Sequence, residues 1–193
     1  MDKRTFLAAA AGTAALPALA GASSLSGSTR TPALLTVSGK IGRGNRGPLD
    51  PALDQMMKKH GVSFDKAHAF DFATIAALPT VTIRPTLEYD AKVHTLRGPL
   101  LLDVVKAAGA RFSGSGKLLL RAVDGYAVPL SLADARAYRF IVATHLDGNA
   151  MPLGGLGPLW AVLEADRFPD IASRPLNERY AQCPWGLYHI EVQ

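Results

Sequence analysis

Residues able to do chemistry are few and scattered in this 193-residue chain. Arg97 stands directly before Gly98-Pro99, where the pattern expects a helix to begin. A guanidinium beside a helix N-terminus suits a phosphate or a polar ligand group, although a surface carboxylate would satisfy Arg97 equally well. His94, just upstream, could join that site or serve a purely structural role. Asp124-Gly125-Tyr126 is first of all a hairpin turn. The run Leu153-Gly154-Gly155-Leu156-Gly157 leads into Pro158-Leu159-Trp160, and its glycines either let the backbone approach a ligand closely or simply form a loop. Trp160 could stack on a flat heteroaromatic ring or fill the core. Metal chemistry has little support. The five histidines show no HxH or HxxxH spacing, and the lone cysteine, Cys183, belongs to no cluster. Met56 and His60 could share a helix face as copper ligands, but Met57 points elsewhere, which leaves only two.

The elements that must position these residues are short. Leu34–Val37 reads as a strand ending at Ser38-Gly39, and Gly42–Pro48 as a loop. Asp50-Pro51 predicts a helix running to His60, with Gly61 just past its end. Asp71 caps a second helix that Pro79 stops, and Val81–Arg84 alternates like a strand. Pro99–Ala108 has the pattern of a mostly buried helix closed by Gly109. Leu118–Val123 and Tyr126–Leu130 are strands joined at Asp124-Gly125. Ser131 caps a short helix to Ala137. Phe140–His145, Trp160–Leu163 and Leu187–Val192 are further strands, with Asp147-Gly148 turning the first of them towards Met151. The expected class is α+β, with a β-rich core and short helices.

The chain as a whole is of ordinary globular composition, 48% hydrophobic and 19% charged, and long enough for one domain with a sizeable core. Residues 1–22 read as an export signal: Lys3 and Arg4 precede an apolar stretch broken by Gly12 and Pro17, and Ala18-Leu19-Ala20 offers a cleavage site. Asp2-Lys3-Arg4-Thr5-Phe6-Leu7 resembles a twin-arginine signal with Lys in place of the first Arg. Residues 23–32 are a Ser/Thr/Gly-rich linker, and residues 33–193 form the domain. Cleavage after Ala20 removes two positive charges and one negative, lowering the formal charge from +5 to +4. That balance suits anionic small molecules or an acidic partner surface. Lys and Arg are scattered without an aromatic stripe, which argues against nucleic acid. No second apolar run approaches spanning length, so no transmembrane span is expected in the mature chain. In an oxidising compartment Cys183 has no intramolecular partner, and its flanks suggest an inert side chain.

Arg97-Gly98-Pro99-Leu100-Leu101-Leu102-Asp103-Val104-Val105, then Asp124-Gly125-Tyr126, then Gly157-Pro158-Leu159-Trp160, followed by the terminal Trp185–Val192 strand, resembles the molybdopterin-binding domain of the sulfite-oxidase fold family. The likeness spans roughly Leu35–Gln193 and is to the small, stand-alone branch. It implies a pterin cleft walled by these segments, with Thr86, Glu88, His94, Arg97, Tyr126, Gly157 and Trp160 as candidate binding residues. Enzymes of the family hold molybdenum through a cysteine upstream of the first stretch. Here Thr86-Leu87-Glu88-Tyr89 occupies that region. Thr86 offers a hydroxyl there, or is an ordinary turn residue. Glu88 offers a carboxylate that can accept two parallel hydrogen bonds from a pterin amino group and ring N–H, or is a solvated loop charge. A carboxylate is not the soft ligand that a thiolate would be. The larger enzymes tend to carry Arg where this chain has Trp160, and an indole cannot neutralise a phosphate.

These departures lead to the expectation of an exported, periplasmic or secreted pterin-binding protein without catalytic activity. It would sense or carry a metal-free pterin and signal through a partner, which the resemblance suggests is a membrane-bound signalling protein. The alternative is an oxidoreductase dependent on the molybdenum cofactor, with oxo-transfer at the metal. That alternative needs Cys183 to fold back to the cleft or a metal held by pterin sulfurs alone.

Overall fold

The computed structural model describes residues 31–111 and 115–193. The expected export signal and residues 23–30 of the expected linker lie outside the described residues. Among those described, no helix is long and apolar enough to cross a membrane.

A five-stranded sheet forms the centre. Its order is β2 (Ala67–Asp71), β1 (Ala33–Gly39), β11 (Leu187–Val192), β5 (Lys117–Ala122), β6 (Ala127–Ser131). β1 and β11 run parallel, with Val37 opposite Ile190, and the other pairings are antiparallel. Burial follows position in the sheet. Central β11 is buried almost throughout, whereas β5 alternates, turning Leu118, Leu120 and Ala122 inward. Against this sheet packs α3 (Leu101–Ala107), whose Leu101, Val104 and Val105 are fully buried in the same core.

Two smaller sheets complete the framework. β7 (Ile141–Ala143) pairs with β10 (Trp160–Val162), and every residue of both is buried. A four-stranded sheet has the order β3 (Thr80–Ile83), β4 (Leu96–Pro99), β8 (His145–Leu146), β9 (Asn149–Ala150). The remaining helices are short: α1 (Gln55–Lys59), α2 (Phe72–Ala76), α4 (Leu132–Ala137) and α5 (Pro169–Ala172). The architecture is mixed α+β, strand-rich with short helices, as the sequence predicts.

Local side chains set the boundaries. Asp71 accepts the Thr74 N–H at 2.7 Å and Ser131 the Asp134 N–H at 2.9 Å, so both expected caps form. The helix expected over residues 51–60 is shorter, because Asp50 draws the Ala52 and Leu53 N–H groups into a separate turn before Gln55. The helix expected from Pro99 begins at Leu101. Arg97, Gly98 and Pro99 are strand residues opposite Thr82, Val81 and Thr80. Gly98 is there for close approach: a Cβ on it would fall 1.9 Å from the Val142 carbonyl oxygen of β7. Arg97 is therefore a strand residue, and no helix starts beside it.

Candidate functional site

Four segments enclose two adjoining compartments, and hydrogen bonds fix each in place. The first is Cys183–Leu187, which is laced on both sides. Gly186 N–H donates to the Leu156 carbonyl at 3.2 Å, Leu187 N–H to Leu159 at 2.8 Å, and the Gly186 carbonyl accepts from Val123 N–H at 3.0 Å. An isolated bridge also links Trp160 to Trp185. Trp185 is thereby held at the surface, 37% exposed, directly in front of the buried core.

The second segment is the loop from Arg84 to Thr95. Its Arg84 N–H donates to Glu164 at 3.0 Å, and its Thr86 N–H to Asp166 at 2.6 Å. The Tyr180 hydroxyl donates to the Thr86 carbonyl at 2.6 Å. Leu87 is buried, which turns Glu88 and Tyr89 outward together. The third segment is the β5–β6 turn at Asp124-Gly125-Tyr126, whose Tyr126 hydroxyl donates to the Ala181 carbonyl at 2.7 Å. The fourth is Leu153–Gly157. Gly157 must be glycine, since a Cβ would meet the Met151 carbonyl oxygen at 2.5 Å.

The polar compartment has a volume of about 150 Å3 and is lined by Glu88, Asp124, Tyr89, Tyr126, Tyr180 and Cys183, among others. The second compartment is larger, about 530 Å3, mostly apolar and open to solvent, with Val123, Leu153, Leu156 and Gly157 in its wall. Tyr89 and Trp185 line both. The lining of the two contains no Lys, Arg or His.

The polar compartment is electrostatically negative and partly dry. Tyr89 is 55% exposed, yet partial desolvation of its hydroxyl and the adjacent Glu88 carboxylate push the phenol up to about 12. Burial likewise raises the Tyr180 phenol, with Asp166 adding to it. Cys183 is 4% exposed, and burial drives its thiol well above the usual range, with Glu88 contributing in the same direction. The side chain is thus a neutral thiol at neutral pH, and only the thiolate is a nucleophile or a good metal ligand. Among the described residues, no three His, Cys, Asp or Glu side chains converge as a metal site.

The sequence-predicted residues divide into three groups. Glu88 and Tyr126 line the polar compartment and Gly157 the apolar one. Thr86 contributes through its backbone, anchoring the loop that carries Glu88. His94, Arg97 and Trp160 line neither compartment. His94 is bonded between Asp147, at 2.6 Å, and Asp90, at 3.0 Å. Arg97 lies against the His145 ring at 3.4–3.5 Å. Trp160 is fully buried and donates its indole N–H to the Cys183 carbonyl at 2.8 Å, so its ring is core and offers no face to a ligand. Sequence reasoning missed Tyr89, Asp124, Tyr180 and Trp185. Trp185 carried a usable signal: an aromatic residue next to Gly186 at the mouth of the last strand.

A mixed α+β fold with this strand arrangement is structurally similar to a protein of the sulfite-oxidase family. The solved chain concerned is the sulfane dehydrogenase SoxCD from Paracoccus pantotrophus, whose crystal structure matches with a TM-score of 0.52 at 10% sequence identity. The match covers 82% of this chain but 37% of that one, and at this identity the likeness concerns the fold alone. No family model and no curated protein matches the sequence.

Proposed function

We propose that this chain is an exported pterin-binding protein without catalytic activity, which senses or carries its ligand and passes the signal to a partner, a membrane-bound signalling protein. The observation that carries this reading is the pairing of Glu88 and Asp124 carboxylates with the Tyr89, Tyr126 and Trp185 rings around one compartment. A pterin is a flat ring whose amino group and ring N–H are hydrogen-bond donors. A carboxylate can accept both in parallel, and an indole can cover the ring face. Trp185 takes the stacking role first expected of Trp160.

The same lining fits the molybdenum cofactor poorly. That group carries a phosphate, which is best met by cationic side chains, and the lining supplies carboxylates without any Lys, Arg or His. Its metal calls for an accessible soft thiolate, and the Cys183 side chain is buried. One observation favours the oxidoreductase reading nonetheless: Cys183, distant in sequence, lines the same compartment as Glu88. Binding would act by population shift, with ligand ordering the cleft and changing affinity for the partner. Export through residues 1–22 would place this exchange in the periplasm or outside the cell.

Metal analysis of the purified protein, together with mass spectrometry of extracted ligand, separates the readings. A metal-free pterin is expected, and stoichiometric molybdenum would overturn the proposal. In calorimetry with added pterin, Glu88→Gln is expected to weaken binding at least tenfold, the scale of one charged hydrogen-bond pair. Unchanged affinity would remove Glu88 from the site.

A further inference from the structure

We infer that the ligand is bipartite: a donor-rich heterocycle in the polar compartment, carrying an uncharged apolar substituent that fills the neighbouring one. This rests on the pterin reading and narrows it to a chemical class. The two compartments adjoin, since Tyr89 and Trp185 line both. A ring stacked on Trp185 would therefore have its edge at the entrance to the second compartment. There the chemistry changes completely. Val123, Leu153 and Leu156 present an apolar surface beside the Gly154, Gly155 and Gly157 backbone, and no charged side chain lines it.

Leu153 is 73% exposed, and Tyr89, Tyr126 and Trp185 around the same mouth are each more than a third exposed. A contiguous apolar surface beside a polar cleft marks a binding surface rather than ordinary solvent contact. A ligand ending in a phosphate or carboxylate would place its charge against this surface with no partner for it. An alkyl or aryl group would instead remove apolar area from water on both sides. At about 530 Å3 the space exceeds that of the polar compartment and has room for a ring-sized substituent.

Calorimetry with three probes tests this on the intact protein: pterin itself, and pterins bearing a phenyl or a carboxylate group at the same ring carbon. The phenyl compound is expected to bind roughly tenfold tighter than pterin, the scale of burying two methylene-sized groups. The carboxylate compound should bind no tighter than pterin. Leu153→Asp, at an exposed position where the fold is not burdened, should shrink the phenyl advantage to threefold or less. If pterin binds but the phenyl group adds nothing, the second compartment is not a ligand subsite and the inference falls alone. If no probe binds, the pterin reading falls with it.

Discussion

Trp160 and Trp185 are neighbours across one backbone bridge, yet they do different things. The Trp160 ring is fully enclosed, and its N–H is spent on the Cys183 carbonyl. Trp160→Ala would leave a large cavity and an unpaired carbonyl, and is expected to destabilise the fold by ~3–5 kcal/mol. Trp185 is partly exposed between the two compartments, so Trp185→Ala should cost little stability. It is expected to weaken pterin binding about tenfold, as for one lost stacking contact. Thermal unfolding and calorimetry on the two variants check this, and a reversal of the two effects would refute the assignment. The residue types were legible in advance, but their roles were not. Glu88 and Tyr126, named through the family resemblance, both line the polar compartment. Trp160 misled because an indole suits a core and a binding face equally well, and only burial separates the two.

At the scale of elements, the Arg84–Thr95 loop carries Glu88 and Tyr89 to the site, and His94 holds it to the β8–β9 turn. Nδ1 meets Asp147 and Nε2 meets Asp90, while Asp147 also accepts the Thr95 N–H at 2.8 Å and Asp90 the Lys92 N–H at 3.1 Å. Two carboxylate partners require both ring nitrogens to donate, hence an imidazolium. Hydrogen bonds to Asp147 and Asp90 accordingly raise the His94 pKa; the His94 contact lowers Asp90, and the Thr95 N–H, followed by His94, lowers Asp147. The latch therefore contributes fully below the ordinary histidine value of about 6.5, and is lost as pH rises through the raised folded value. The carboxylate contribution is present above about 4 and is lost as pH falls through their depressed values. NMR titration should place His94 above 6.5, and amide protection in residues 87–95 should be greater at about pH 6 than at about pH 8. A His94 titrating at or below its ordinary value would refute the latch.

For the whole molecule, the β1–β11–β5 centre buries titratable side chains, among them the His189 imidazole. His189 on β11 is fully buried, stacked near Phe64, with Nε2 3.0 Å from the Ser38 hydroxyl and Nδ1 3.2 Å from Arg121. Arg121 can only donate, so Nδ1 accepts and the Nε2 proton points to Ser38. Burial first, then the Arg121 charge, lower the His189 pKa to about 4, while Glu191, paired with Arg121 at 3.0 Å, opposes them. The unfolded chain binds this proton near 6.5 and the folded chain only near 4, so stability is greatest above 6.5 and falls as pH drops through 4. Urea midpoints measured across this range should decline with acid, and His189→Gln should flatten that decline. A wild-type midpoint that is constant between 6.5 and 4 would contradict it.

Local patterning alone was enough for the caps at Asp71 and Ser131, the Asp124-Gly125 turn, the alternating β5 and β6 and the α+β class, because each depends on contacts within a few residues. The resemblance to the sulfite-oxidase fold lay in the order and spacing of three short stretches. Tertiary structure decided what required distant segments to meet. Gly98 became a strand crossing because Val142 lies against it, Trp160 became core because the Cys183 carbonyl takes its N–H, and Cys183 reached the Glu88 compartment because its segment is laced between β5 and the Leu156–Leu159 run. A side chain's burial is set by all its neighbours together, and here burial separated the residues that can touch a ligand from those that hold the walls.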